Sequence, residues 1–447
     1  MNDDRLARKI DFFLLNWKKN PSRKPLIIKG ARQIGKTRAV EFFAKNNYKN
    51  FIEINFVEQS QFKAIFDDGF EVDSVIRAMS LINPSLKFLP GETLIFFDEL
   101  QDCPNCATSL KFFHQDGRFD VICSGSLMGI NYKTIESNSV GNKEDYEMSS
   151  LDFEEFLWAK GYTSAQIENL FSHMLSLEPF SELELKVMFD AFHEYMILGG
   201  MPEIVFSFIK NRTFEGTLEL QRQILRDYEE DITKYATGVD KSRIMNAYKK
   251  IPVFLGNENK KFRISKIDEN ARSREYLGAI DWLETAGIVN ISYCMESPSL
   301  PLRGNFNPDN YRVYFRDTGL LVGSLDDEVQ SDLRANKNFG TYKGALYENL
   351  AADMLKKAGY DLFFYKNEKS TIELDFIVRD RESLVPLEIK ATDGSSVSLK
   401  HAIKNTNTFS DIKYGIKFAE KNLGFNGEFY TFPFFLIFLL KRYLKEK

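Results

Sequence analysis

At 447 residues the chain exceeds what one ordinary hydrophobic core organises, so two to four domains are expected. A composition of 43% hydrophobic and 28% charged residues excludes a disordered or fibrous chain. A net charge of −5 excludes no class of partner, because a basic face can sit on an acidic whole.

Near the N-terminus the apolar residues 12–15 are too few for a signal sequence. Residues 26–28 then read as a short buried strand and 38–45 as an opening helix. Between them, Gly30-Ala31-Arg32-Gln33-Ile34-Gly35-Lys36-Thr37 fits the phosphate-binding pattern G-x-x-x-x-G-K-[ST] at every constrained position. The glycines let the backbone curl so that N–H groups point at phosphate oxygens, and the helix N-terminus adds partial positive charge. Lys36 reaches the β- and γ-phosphates and the Thr37 hydroxyl ligates Mg²⁺. The pattern makes ATP with Mg²⁺ the expected cofactor pair.

Further strands are expected at 51–55, 93–97 and 120–123, alternating with helices, so residues 1–160 read as a P-loop domain with a parallel sheet. Leu94-Ile95-Phe96-Phe97-Asp98-Glu99 is a buried strand ending in two acids, where open α/β sheets bind ligands. Asp98 is expected to hold the metal opposite Thr37, and Glu99 to orient or deprotonate the attacking water. Ser124, with Ser126 close behind, is the candidate contact to the γ-phosphate or its water; a simple turn fits the same residues. Cys103-Pro-Asn-Cys106 lacks a second pair at zinc spacing and reads as incidental thiols on a loop. With Cys123 and Cys294 these cysteines form no disulfide framework, which favours a reducing, cytoplasmic location.

Residues 161–238 have helical periodicity and read as a lid or connector, with a turn at 198–202. Within 239–325, helices at 243–254 and 274–285 and a strand at 288–293 outline a winged helix-turn-helix. Lys260, Lys261, Arg263, Lys266, Arg272 and Arg274 concentrate charge there that would suit a DNA backbone; a solvated basic face is the alternative. After a polar stretch, residues 335–447 form another α/β unit. Its strands 373–378 and 385–390 bring Asp375 beside Glu388 and put Glu388 and Lys390 on one face. Carboxylates sharing a site call for a cation such as Mg²⁺, Lys390 would position or deprotonate a water, and Glu348 on a helix at 345–356 completes the patch. A solvated amphipathic hairpin fits the same strands. The run 432–440 falls short of the roughly 20 residues a membrane span needs and reads as a buried C-terminal helix, so no membrane partner is expected.

Gly-Ala-Arg-Gln-x-Gly-Lys-Thr, Asp98-Glu99, Ser124-Gly125-Ser126 and Leu151-Asp152-Phe153-Glu154-Glu155-Phe156 resemble a prokaryotic family of AAA-type P-loop ATPases. So do Gly199-Gly200-Met201-Pro202-Glu203 and Tyr314-Phe315-Arg316-Asp317-Thr318-Gly319-Leu320-Leu321. The family carries a C-terminal domain of unknown function, and Asp375 with Glu388-Ile389-Lys390 resembles the restriction-endonuclease-like superfamily. The resemblance implies an α/β chain: a P-loop NTPase sheet, a helical connector, a winged helix-turn-helix and a restriction-endonuclease-like terminal domain. It implies an ATP-hydrolysing switch or motor with DNA as partner, or a regulatory ATPase with protein partners and an inactive terminal domain. Ring assembly, with an arginine supplied by a neighbouring copy, is expected by analogy. Family members often have Gly-Arg where this chain has Gly141-Asn142-Lys143, so that arginine is missing here.

Overall fold

The computed structural model describes residues 5–126, 139–236, 239–256, 273–337, 341–367, 372–391 and 394–447. The chain divides into two compact units, Met1–Ser150 with Thr285–Gly287, and Leu151–Glu284 with Ile288–Lys447.

The first unit is a parallel five-stranded sheet covered by helices. After helix α1 (Lys9–Lys19) come β1 (Leu26–Gly30), α2 (Lys36–Asn47), β2 (Asn50–Asn55), α3 (Val72–Ile82), β3 (Thr93–Asp98), α4 (Pro104–Asp116), β4 (Asp120–Ser126) and β5 (Glu144–Glu147). The strand order is β2-β3-β4-β1-β5, and every pairing is parallel. β3 is buried along its whole length because helices cover both faces of a parallel sheet, and that requires the continuous apolar run Leu94–Phe97. β5 was not expected: it is an edge strand of charged and polar residues with no apolar alternation.

The cysteine pair corrects the loop reading. Cys103 precedes α4 and Cys106 lies within it, and both are buried in the core that also holds Cys123, Ile95 and Phe97. Burial pushes the Cys103 thiol up to about 11 and Cys106 well above its ordinary value. Buried protonated thiols are inert toward metals and oxidants.

In the second unit helix Phe153–Ala159, expected within the P-loop domain, precedes the helices of the expected connector, Ser164–Ser176, Glu182–Leu198, Pro202–Asn211 and Thr217–Tyr235. Helices Val239–Leu255 and Ser273–Thr285, then the antiparallel pair β6 (Val289–Met295) and β7 (Phe306–Phe315), follow the helix-helix-strand outline. Lys260, Lys261, Arg263, Lys266 and Arg272 lie outside the described residues, as does the Arg274 side chain. β6 also pairs in parallel with β8 (Leu362–Lys366), in a sheet ordered β7-β6-β8-β9 with β9 at Glu373–Leu374. Strands on either side of the expected 325/335 boundary therefore share one sheet. A second sheet, β10-β11-β12-β14-β13, is built from β10 (Phe376–Asp380), β11 (Ser383–Lys390), β12 (Gly415–Ala419), β13 (Gly424–Phe425) and β14 (Phe429–Pro433). The apolar C-terminal run is not one helix. Phe432 pairs with Phe418 inside β14, a 3₁₀ segment Phe434–Leu439 follows, and the helix Leu440–Glu446 comes last. Among the described residues no helix is long and apolar enough to cross a membrane.

The two late family signatures pack on each other. Asp317 accepts from the N–H groups of Gly200 at 2.8 Å and Gly319 at 3.0 Å, and the Leu151 N–H donates to the Gly200 carbonyl at 2.7 Å. The Leu151 carbonyl accepts from Tyr195 Oη at 2.7 Å and Lys357 Nζ at 3.1 Å. A Cβ at Gly200 would lie 2.0 Å from the Leu151 carbonyl oxygen, a backbone atom that cannot step aside. Gly200→Ala is therefore expected to destabilise by roughly 1–3 kcal/mol, seen as a lower unfolding midpoint in calorimetry. Gly278 is helical with open space around its Cβ, so Gly278→Ala is expected to raise that midpoint slightly.

Candidate functional site

β1 ends at Gly30 and α2 begins at Lys36, so residues 31–35 form the connecting turn. Gln33 at φ +62° and Gly35 at φ +87° hold the left-handed backbone that curls it. Gly30 meets a different demand. A Cβ there would lie 2.4 Å from the Met148 carbonyl oxygen, so glycine serves a close backbone approach rather than the curl. Ala31 and Ile34 are buried, Arg32 is half-buried and Gln33 is exposed.

Lys36 Nζ donates to the Ala31 carbonyl at 2.7 Å and the Gly30 carbonyl at 3.2 Å, which folds the ammonium over the loop. Burial of that ammonium lowers its pKa to about 8, against the opposing pull of Glu99 and Asp98. Thr37 Oγ1 donates to Asp98 Oδ2 at 2.9 Å, joining the loop to the tip of β3. Asp98 is 3% exposed and also accepts from the Glu99 N–H at 3.0 Å, Asn55 Nδ2 at 3.4 Å and the Ser124 hydroxyl. Ser124 is fully buried and its hydrogen bond serves the carboxylate.

Glu99 stands at φ +58°, uncommon for a residue with a side chain. Its carboxylate accepts from Gln101 Nε2, and Gln101 Oε1 accepts from the Ser126 N–H at 3.2 Å. Gln101 and Asn55 escaped the sequence reading. Their one signal is an amide side chain beside a strand end, too common to single out. Asn142 bonds His114 Nδ1 at 3.0 Å, and Lys143 is held by Asp145 at 2.5 Å.

Curled loop, helix N-terminus, ammonium and hydroxyl–carboxylate pair together fit a magnesium-bound nucleotide: N–H and cationic groups for phosphate, hard oxygen donors for the ion.

The terminal carboxylates are arranged differently. Asp375 Oδ2 accepts from the Ile389 N–H at 2.9 Å, and Lys390 Nζ lies 3.2 Å from Glu388 Oε1. β10 and β11 are antiparallel with Phe376 opposite Leu387, a register that sets Asp375 level with Glu388. Burial lowers the Lys390 pKa, but Asp375, Glu388 and Glu348 outweigh it, so the lysine stays an ammonium. Glu348, on the helix Thr341–Lys357, accepts from Arg312 Nη1 at 3.1 Å and Tyr314 Oη at 2.5 Å. Arg312 also pairs with Glu373, stacks 4.0 Å over the Phe364 ring and is 1% exposed. The buried Glu388 Oε2 has no hydrogen-bond partner among the described residues. Even so, no three His, Cys, Asp or Glu among those residues are grouped to hold a metal ion. Arg312 and Tyr314 already engage Glu348, the acid expected to complete a Mg²⁺ site.

Residues 22–157 match the AAA domain family, residues 189–331 a domain of unknown function (DUF8612), and residues 343–435 another domain of unknown function (DUF4143). The chain thus carries a P-loop ATPase domain of the AAA class. No curated protein matches it. Among solved structures it is similar to the Aeropyrum pernix ORC1 protein in complex with DNA, at 11% identity over 74% of this chain and 91% of that one, TM-score 0.30. It is also similar to C. elegans PCH-2, at 11% identity over 46% and 62%, TM-score 0.28. A third is a Pyrococcus horikoshii signal transduction ATPase with numerous domains and a tetratricopeptide repeat sensor, at 13% identity over 79% and 46%, TM-score 0.25. Likenesses this loose carry no argument about activity.

Lys36 gives the site a pH dependence. Burial lowers the pKa of the Lys36 ammonium to about 8, whereas bound phosphate favours the ammonium, so binding above that pH is expected to take up a proton. ATP affinity is expected to fall from about pH 7 to about pH 9, with calorimetry in buffers of different ionisation enthalpy registering the uptake. A flat profile would contradict this role of Lys36.

Proposed function

We propose that this protein is an ATP-driven switch that hydrolyses ATP at the P-loop and uses the cycle to control its hold on a macromolecular partner. The observation carrying this reading is the 2.9 Å hydrogen bond from Thr37 to Asp98, which brings the two metal-binding residue types of a P-loop site together. The backbone of residues 30–37 cradles the phosphates and Lys36 neutralises their charge. Thr37 and Asp98 would hold Mg²⁺, which when bound draws charge from the β- and γ-phosphate oxygens. Glu99 orients or deprotonates the attacking water, and Gln101 holds its carboxylate in place. Ser124 and Asn55 fix Asp98 for its task. Assembly into a homo-oligomer would supply a phosphate-sensing arginine that Asn142 and Lys143 do not.

The terminal domain we read as nuclease-like in fold: helix, β8, the β10–β11 hairpin carrying Asp375, Glu388 and Lys390, helix Val397–Lys404, then β12. A specific observation favours a domain that binds without cutting. Arg312 engages Glu348 and Glu373, and the remaining acids are not grouped to hold a metal. DNA is the partner class such a fold suggests, and a protein partner is the alternative.

Glu99→Gln is expected to keep ATP binding while lowering turnover by about a hundredfold or more, measured by phosphate release. Unchanged turnover would remove Glu99 from the mechanism. No metal-dependent cleavage of DNA is expected with Mg²⁺ or Mn²⁺. Cleavage that disappears in Asp375→Ala and in Lys390→Ala would contradict the binding-only reading. Faster phosphate release in the presence of DNA would identify DNA as the partner.

A further inference from the structure

Arg8 precedes the segment matched to the AAA domain, residues 22–157, yet its side chain reaches the P-loop. The residue is fixed at the start of α1. Its N–H donates to Asp11 Oδ2 at 2.9 Å and its carbonyl accepts from the Asp11 N–H at 3.0 Å. Helix α1 is itself anchored within this unit, because Ile10, Leu14 and Trp17 are buried and Trp17 Nε1 donates to the Lys24 carbonyl at 2.9 Å.

From that anchor the side chain of Arg8, a residue only 6% exposed, donates through Nη1 to the Ile34 carbonyl at 2.9 Å and through Nη2 to the Ser149 carbonyl at 2.6 Å. A buried cation is costly unless its N–H groups are met, so these contacts have a defined geometry. In a trans peptide the carbonyl and the N–H of the same plane point in opposite directions. Holding the Ile34 oxygen therefore turns the Gly35 N–H away from Arg8. A carbonyl that accepts from a cation also makes its peptide N–H a stronger donor. The second contact ties the same cation to Ser149, next to the Met148 carbonyl that Gly30 admits.

We propose that Arg8 is a positioning residue for nucleotide phosphate: it sets and polarises the Ile34–Gly35 peptide so that the Gly35 N–H donates to a phosphate oxygen. This role rests on the ATPase reading of the P-loop. It extends the nucleotide site to a segment outside the AAA match, and it acts on ATP and ADP alike.

The test is titration calorimetry of the full chain with ATP and with ADP, in the presence of Mg²⁺, on wild type, Arg8→Ala and Arg8→Lys, with the unfolding midpoint of each followed in parallel. Arg8→Ala is expected to weaken both nucleotides about tenfold, while turnover at saturating ATP stays within about twofold. Arg8→Lys, which keeps the charge without the fork, is expected to recover part of the loss. A purely structural role would lower the midpoint and leave the dissociation constants of the folded protein unchanged. Should Arg8→Ala fail to fold, Arg8→Lys carries the test, with weakened binding of both nucleotides supporting the role. Wild-type affinity in the folded variants overturns the assignment to Arg8 alone. Absence of binding in wild type overturns the ATPase reading and this role with it.

Discussion

The nucleotide site proposed for the first unit depends on the hydrogen bond between Thr37 and Asp98, residues 61 positions apart that meet at 2.9 Å. Parallel strands make that meeting possible. With β4 between β1 and β3, all three strands run the same way and deliver their C-terminal ends to one edge. The loop after β1 and the acids after β3 then face one another without any further segment to align them. Asn55, Ser124 and the Glu99 N–H arrive at the same edge and donate to Asp98, which orients its carboxylate.

Charge is handled in opposite ways in the two candidate sites. At the P-loop the Lys36 ammonium hydrogen-bonds neutral carbonyls and burial lowers its pKa to about 8 against the pull of Glu99 and Asp98, so an incoming anion favours its protonated form. In the terminal domain the acids are compensated within the fold. Arg312 serves Glu348 and Glu373, Lys390 serves Glu388, and Asp375 accepts from a backbone N–H. Of the buried oxygens of these carboxylates, only Glu388 Oε2 is without a hydrogen-bond partner among the described residues.

Much of the first unit was legible because its signals are local. The phosphate loop is contiguous, β3 announces itself by four apolar residues before two acids, and the short strands alternate with helices. The hairpin register that sets Asp375 level with Glu388 was legible too, from alternation along two strands. What escaped was long-range or polar. β5 carries no apolar pattern: it pairs with β1 through its backbone, and its side chains add polar and ring contacts such as Asp145 to Lys29 and Tyr146 to Phe13. Arg8, Gln101 and Arg312 act through side chains whose partners lie in other elements, which periodicity cannot indicate. The glycine and aspartate of the two late signatures were visible as motifs, but the close backbone approach behind them follows only from the packing of Gly200 on Leu151. The apolar C-terminal run looked helical because strand and helix share that composition; Phe432 paired instead with Phe418.

The most direct measurement is the heat of MgATP binding to the purified full chain and to its Lys36→Ala variant. A saturable signal in the parent that vanishes in the folded variant is what the geometry of the loop requires. No signal in the parent, or the same signal in both, would contradict it.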